Sequence, residues 1–88
     1  MRGLLGRDGL GQGEGLLIKP CGSVHTFFMR FPIDVVFLDR ELSVLAVRPE
    51  VRPWRTAGTR GAKVVLELAA AEAARLGIEP GMRLRLAA

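Results

Sequence analysis

His25, Arg30 and Asp34 are the residues of this chain best suited to chemistry. They stand within the run 21–39, which also holds the only cysteine, Cys21, and all four phenylalanines. An imidazole can move a proton near neutral pH. A guanidinium can grip an oxyanion with two parallel hydrogen bonds, and a carboxylate beside it can fix its orientation. Charges inside an apolar run need partners, because an unpaired buried charge is costly. The run is therefore either a core tied by an ion pair or the wall of a site. A structural zinc site is not expected, since one His and one Cys leave too few nitrogen and sulfur ligands. A Cys21–His25 nucleophile pair needs a turn at Gly22-Ser23. In a continuous strand the two would lie roughly 13 Å apart. A small buried thiol is the simpler reading of Cys21.

Three further residues join the candidates. Trp54, the only tryptophan, lies in Val51-Arg52-Pro53-Trp54-Arg55. Its ring is either a lid over the core or a flat platform between two guanidinium groups. Glu67 interrupts a run of Val and Leu. It fits the outer face of an edge strand, a pair with an arginine, or a site. The candidate ligand-binding set is thus His25, Arg30, Asp34, Trp54, Arg55 and Glu67.

Charge is concentrated in one place. Segment 48–63 carries Arg48, Arg52, Arg55, Arg60 and Lys63 against Glu50 alone, which accounts for the whole net charge of +4. Eleven of the thirteen basic residues are arginine, the residue matched to carboxylate and phosphate.

The 88 residues suit one domain, 1–88, with one core. A lone cysteine excludes an intrachain disulfide. Met1–Gly6 lacks the apolar stretch of a secretion signal, and no apolar run reaches the roughly 20 residues of a membrane helix. A soluble cytoplasmic protein, with no membrane partner, is expected. Gly9-x-Gly11-x-Gly13 lacks the flanking strand and helix of a dinucleotide fingerprint. It reads as a turn-rich entry after a helical turn at Arg2–Arg7, and no cofactor is expected.

Leu16–Lys19 reads as a strand ended by Pro20 and Gly22, and Val24–Arg30 as the next. Phe31-Pro32-Ile33 is a turn, because Pro32 fixes its own φ and keeps Phe31 extended. Asp34–Asp39 is a third strand and Arg40-Glu41 a turn. Leu42–Arg48 is a fourth strand, stopped by Pro49. A basic loop follows to Ala62, long enough to suggest function. Lys63–Leu68 is a fifth strand, and Ala69–Leu76 a helix closed by Gly77 and Pro80. Met82–Ala87 alternates as a last strand. The expected fold is mainly β: a small, barrel-like, largely antiparallel curled sheet with one or two short helices.

Local pairing suggests a hairpin of Val24–Arg30 on Asp34–Asp39. It would set Arg30 against Asp34, Phe28 against Val36, Phe27 against Phe37 and His25 against Asp39. Both faces of that hairpin are apolar, so it should lie centrally.

Five pieces of the chain carry a family resemblance: Arg2-Gly-Leu-Leu-Gly-Arg7, Gly13-Glu-Gly-Leu-Leu-Ile18, Val24-His-Thr-Phe-Phe-Met-Arg-Phe-Pro-Ile-Asp-Val-Val-Phe-Leu-Asp39, Val65-Leu-Glu-Leu68 and Leu76-Gly-Ile-Glu-Pro-Gly81. Together they resemble the small bacterial and archaeal proteins grouped as domain of unknown function 192. The resemblance implies a compact β-rich, barrel-like domain and no particular reaction. Many such proteins have Pro-Ala-Gly where this chain has Ala69-Ala70-Ala71. Many also have an acidic residue where it has Met82.

Three function classes follow. The first is a non-catalytic binding module with an anion-preferring pocket between the His25 hairpin and the basic loop 48–63. The second is an enzyme with His25 as acid–base. The third, not favoured, is a weak nucleic-acid binder acting through 48–63, since no recognition motif accompanies the basic segment.

Overall fold

A computed structural model describes residues 15–19, 22–25, 31–52 and 56–85. The fold is mainly antiparallel β. Strands β1 (Gly15–Ile18), β6 (Val64–Ala69), β3 (Ile33–Leu38) and β4 (Val44–Val51) form one sheet in the order β1-β6-β3-β4. Strands β2 (Ser23–His25) and β5 (Thr56–Gly58) form a separate two-stranded ribbon. The curled sheet does not close into a barrel. One short helix, α1 (Glu72–Arg75), follows β6.

The sheet is built around β3, Ile-Asp-Val-Val-Phe-Leu, all six residues of which are buried. An apolar run of this kind needs cover on both faces, and alternation sorts its side chains into two clusters. Ile33, Val35 and Phe37 pack with Val65 and Ala62, joined by Leu16, Phe31 and Ala57. Ala57 lies in β5, so the ribbon covers this face. Val36 and Leu38 pack with Val44, Val64, Leu68 and Ala73, joined by Ile78 and Leu84. The helix and the segment after it cover that face.

Pairing corrects the expected hairpin. Both edges of β3 are taken, by β4 (Val36 opposite Val47) and by β6 (Val36 opposite Leu66). No third strand can join it, so the register Arg30–Asp34 and His25–Asp39 does not form. β2 pairs instead with β5, His25 opposite Thr56. Residues 26–30 lie outside the described residues, as do the entry segment 1–14 and Cys21.

Other boundaries shift for local reasons. β4 continues through Pro49 to Val51, because the ladder absorbs an extra residue there: Val35 faces Arg48 but Ile33 faces Val51. This is a β-bulge, a setting that tolerates proline. The expected loop 49–62 therefore contains the end of β4 and all of β5. The expected helix at Ala69–Leu76 shortens to four residues, because β6 runs to Ala69 and Ala71 takes a left-handed conformation at φ 73°. Gly77, at φ 70°, ends it as the sequence suggests. Among the described residues, the last segment pairs only locally with 42–44, through the Ser43–Arg83 bridge and its neighbours.

Ala71 carries a Cβ in a left-handed conformation that disfavours it, at the position where the resemblance implies glycine. Ala71→Gly is expected to stabilise the fold by about 1 kcal/mol, the usual relief of a single left-handed residue. Thermal unfolding of the two proteins checks this; a lower melting temperature for the glycine variant would contradict it.

Candidate functional site

Two carboxylates lie inside the sheet, on opposite faces and with opposite surroundings. Asp34 is fully buried on the helix face. Its Oδ1 accepts the backbone N–H of Glu50 (2.9 Å) and of Ala71 (3.1 Å), and its Oδ2 accepts that of Ala73 (2.8 Å). Three donors to one carboxylate satisfy a buried charge well. Glu50 sits in the β4 bulge at φ 51°. Asp34 thus ties the bulge of β4 to the start of α1. These described partners are backbone amides; Arg30, the partner the sequence suggested, lies outside the described residues.

Glu67 lies on the ribbon face. It sits on β6 opposite Leu16 of β1 and Val35 of β3, with only 6% of its surface exposed. β6 is an interior strand, so Glu67 is neither on an edge nor on an outer face as expected. Its Oε1 is buried and has no hydrogen-bond partner among the described residues. Burial pushes its carboxyl pKa up, because the charged form loses solvation. The hydroxyl of Thr59, just after β5, is also buried without a partner.

The registers align four residues across the sheet: Leu16, Glu67, Val35 and Arg48. Arg48 is exposed and shares the ribbon face with Glu67. Two strand spacings, roughly 10 Å, separate their backbones. Arg48 belonged to the basic segment in the sequence, but only the pairing of β3 with both β4 and β6 places it in the row of Glu67.

The expected site set is therefore divided. Asp34 faces the helix and Glu67 faces the ribbon. The backbone of His25 lies in the ribbon, one of the two strands over the Glu67 face. Arg30, Trp54 and Arg55 lie outside the described residues, though Trp54 and Arg55 directly precede β5. Arg48, Arg52, Arg60 and Lys63 are exposed. Among the described residues no cluster of His, Cys, Asp and Glu is placed to hold a metal ion, and no helix is long and apolar enough to cross a membrane.

Comparison with known proteins places this architecture. A crystal structure of a protein of unknown function from Novosphingobium aromaticivorans superposes with a TM-score of 0.85 at 27% identity, over 96% of this chain and 65% of that one. The chain thus spans just under two thirds of that protein. A candidate transcription regulator from Sinorhizobium meliloti superposes with a TM-score of 0.85 at 24% identity, over 94% of this chain and 70% of that one; at that identity the likeness is one of fold. No curated protein matches the sequence. The family model for domain of unknown function 192, described as "Uncharacterized ACR", matches residues 1–86. With that match over nearly all its length, and with the sheet and ribbon just described, the chain belongs to domain of unknown function family 192.

Proposed function

We propose that this domain is a non-catalytic binding module for a small anionic ligand, received on the ribbon face between Glu67 and the basic segment 48–63. The orphaned Oε1 of Glu67 carries the reading. A buried polar atom without a partner costs stability, and such costs persist where a site needs the group. A carboxyl whose pKa is raised keeps its proton further up the pH scale. It can then donate a short hydrogen bond to an oxyanion. Arg48 stands in the same row, and Arg55 and Trp54 lead into the ribbon strand β5. His25, on the partner strand, completes the set. Asp34, held by three backbone donors on the helix face, is not part of this reading.

A thermal-shift screen of phosphorylated and carboxylated metabolites tests the reading. At least one anion is expected to raise the melting temperature by several degrees, as ligand well above its Kd does. Arg48→Ala and Arg55→Ala should each reduce that shift. If no anion raises it and Arg55→Ala changes no binding result, the reading fails.

The exposure of Arg48, Arg52, Arg60 and Lys63 also favours a second reading, contact with nucleic acid. It requires binding to random-sequence DNA or RNA that weakens steeply with salt. Absence of binding at low salt dismisses it.

A further inference from the structure

We propose that the groove between the turn 39–42 and the segment 83–85 is a second binding site, for a small oxyanion of the phosphate or carboxylate type. The groove is open, has a volume of about 600 Å³, and is lined by Glu41, Leu42, Arg83, Leu84 and Arg85. That volume lies within the usual range of ligand sites. Leu42 and Leu84 pack on the helix-face cluster, so this site is on the far side of the sheet from Glu67 and independent of the reading above.

Both walls of the groove are fixed. In the turn, Asp39 Oδ1 accepts the N–H of Glu41 and of Ser43, each at 2.9 Å, and the Leu42 N–H bonds to the Asp39 carbonyl at 3.1 Å. The facing segment is held by the Leu84 N–H on the Leu42 carbonyl, at 2.8 Å, and by the Ser43–Arg83 bridge. Leu42 has φ 68°. A leucine in the left-handed region is a genuine outlier, and such strain gathers at binding sites.

The cations of the groove are arranged for an anion. Arg83 donates from Nε to the Glu41 carbonyl at 3.0 Å, which anchors the side chain and leaves its two terminal nitrogens for another acceptor. A guanidinium already held loses less freedom on binding. Arg85 is two residues on, so in this extended segment it points to the same side as Arg83. It is exposed and forms no ion pair among the described residues. The two guanidiniums rise from positions roughly 7 Å apart along the chain, close enough for such long side chains to meet on one oxyanion. Glu41 is the opposing charge in the groove, leaving an excess of one cation.

Titration of the full ¹⁵N-labelled chain with inorganic phosphate, and separately with acetate, at constant ionic strength tests the site. The amides of 41–43 and 83–85 should shift saturably with at least one of the two anions, and the arms show which oxyanion is preferred. Arg85→Ala should weaken binding about tenfold or more, the loss of one charge-assisted contact. Glu41→Gln should tighten it, and Lys19→Ala, outside both the groove and the basic segment, should leave it unchanged. All three residues are exposed, and the spectra themselves report whether each variant is folded. Shifts that fail to saturate with both anions, or binding that survives Arg85→Ala unchanged, would overturn the proposal. An anion whose thermal stabilisation vanishes in Arg85→Ala but persists in a Glu67 variant belongs to the groove and not to the ribbon face.

Discussion

Replacing Asp34 by alanine is expected to destabilise the fold by about 3–5 kcal/mol, the range for stripping a partner from a buried charged network. Three backbone N–H groups lose their acceptor at once: Glu50 in the bulge, and Ala71 and Ala73 at the start of the helix. No other side chain on the helix face is placed to take them in the described contacts. The loss is large against the roughly 4–13 kcal/mol expected for a domain of this size. Asp34→Asn separates the causes. It keeps one oxygen for two of the donors but sets an amide N–H₂ against the third, so about half the loss is expected. Urea unfolding of both variants measures this. A change within about 0.5 kcal/mol for alanine, the scale of an ordinary surface substitution, would sink the assignment.

Glu67→Leu carries the opposite sign. Leucine continues the apolar row between Leu16 and Val35 and removes the orphaned Oε1. A gain of about 1–3 kcal/mol at neutral pH is expected, the cost of leaving a buried polar group unsatisfied. The pH dependence fixes the cause. The folded-state pKa of Glu67 is raised above its ordinary value of 4.5. The folded protein therefore holds this proton more tightly than the unfolded chain, and its contribution is fully present below pH 4.5. That contribution is lost as the pH rises through the folded-state pKa. Other carboxylates cancel when wild type and variant are compared. The advantage of Glu67→Leu should thus be small at pH 4 and grow toward neutrality. Unfolding curves at several pH values check it; an advantage that shrinks with rising pH would show that the ionised carboxylate has a stabilising partner.

These two carboxylates also show what was legible in the sequence. The strands expected at Leu16–Lys19, Asp34–Asp39 and Lys63–Leu68 form within a residue of those bounds, because each is a short apolar run bounded by turn residues. Their partners were not legible. Neighbouring segments pair by default, which favoured a local hairpin for 24–39, but the fully buried β3 pairs with the next strand, β4, and with β6 from farther along the chain. That long-range choice decides the surroundings of Glu67. A single acid in an apolar strand looks alike whether it faces solvent or the core, and only the β1-β6-β3 order makes it interior. The described partners of Asp34 were hidden for a different reason. The sequence displays side chains, so Arg30 stood out as its partner; the backbone amides that hold it belong to a bulge and a helix start that no residue pattern announced. Pro49 misled in the same way, since a bulge accepts the proline that would end a regular strand.

The account rests on Glu67 being retained for binding at the expense of stability. The most direct test measures both properties in one variant. Wild type and Glu67→Leu are melted with and without the anion that most stabilises the wild type through Arg48. The account predicts that Glu67→Leu melts higher than wild type when ligand is absent and loses most of the ligand-induced rise. A variant that melts lower without ligand, or one that keeps the full rise, would contradict it.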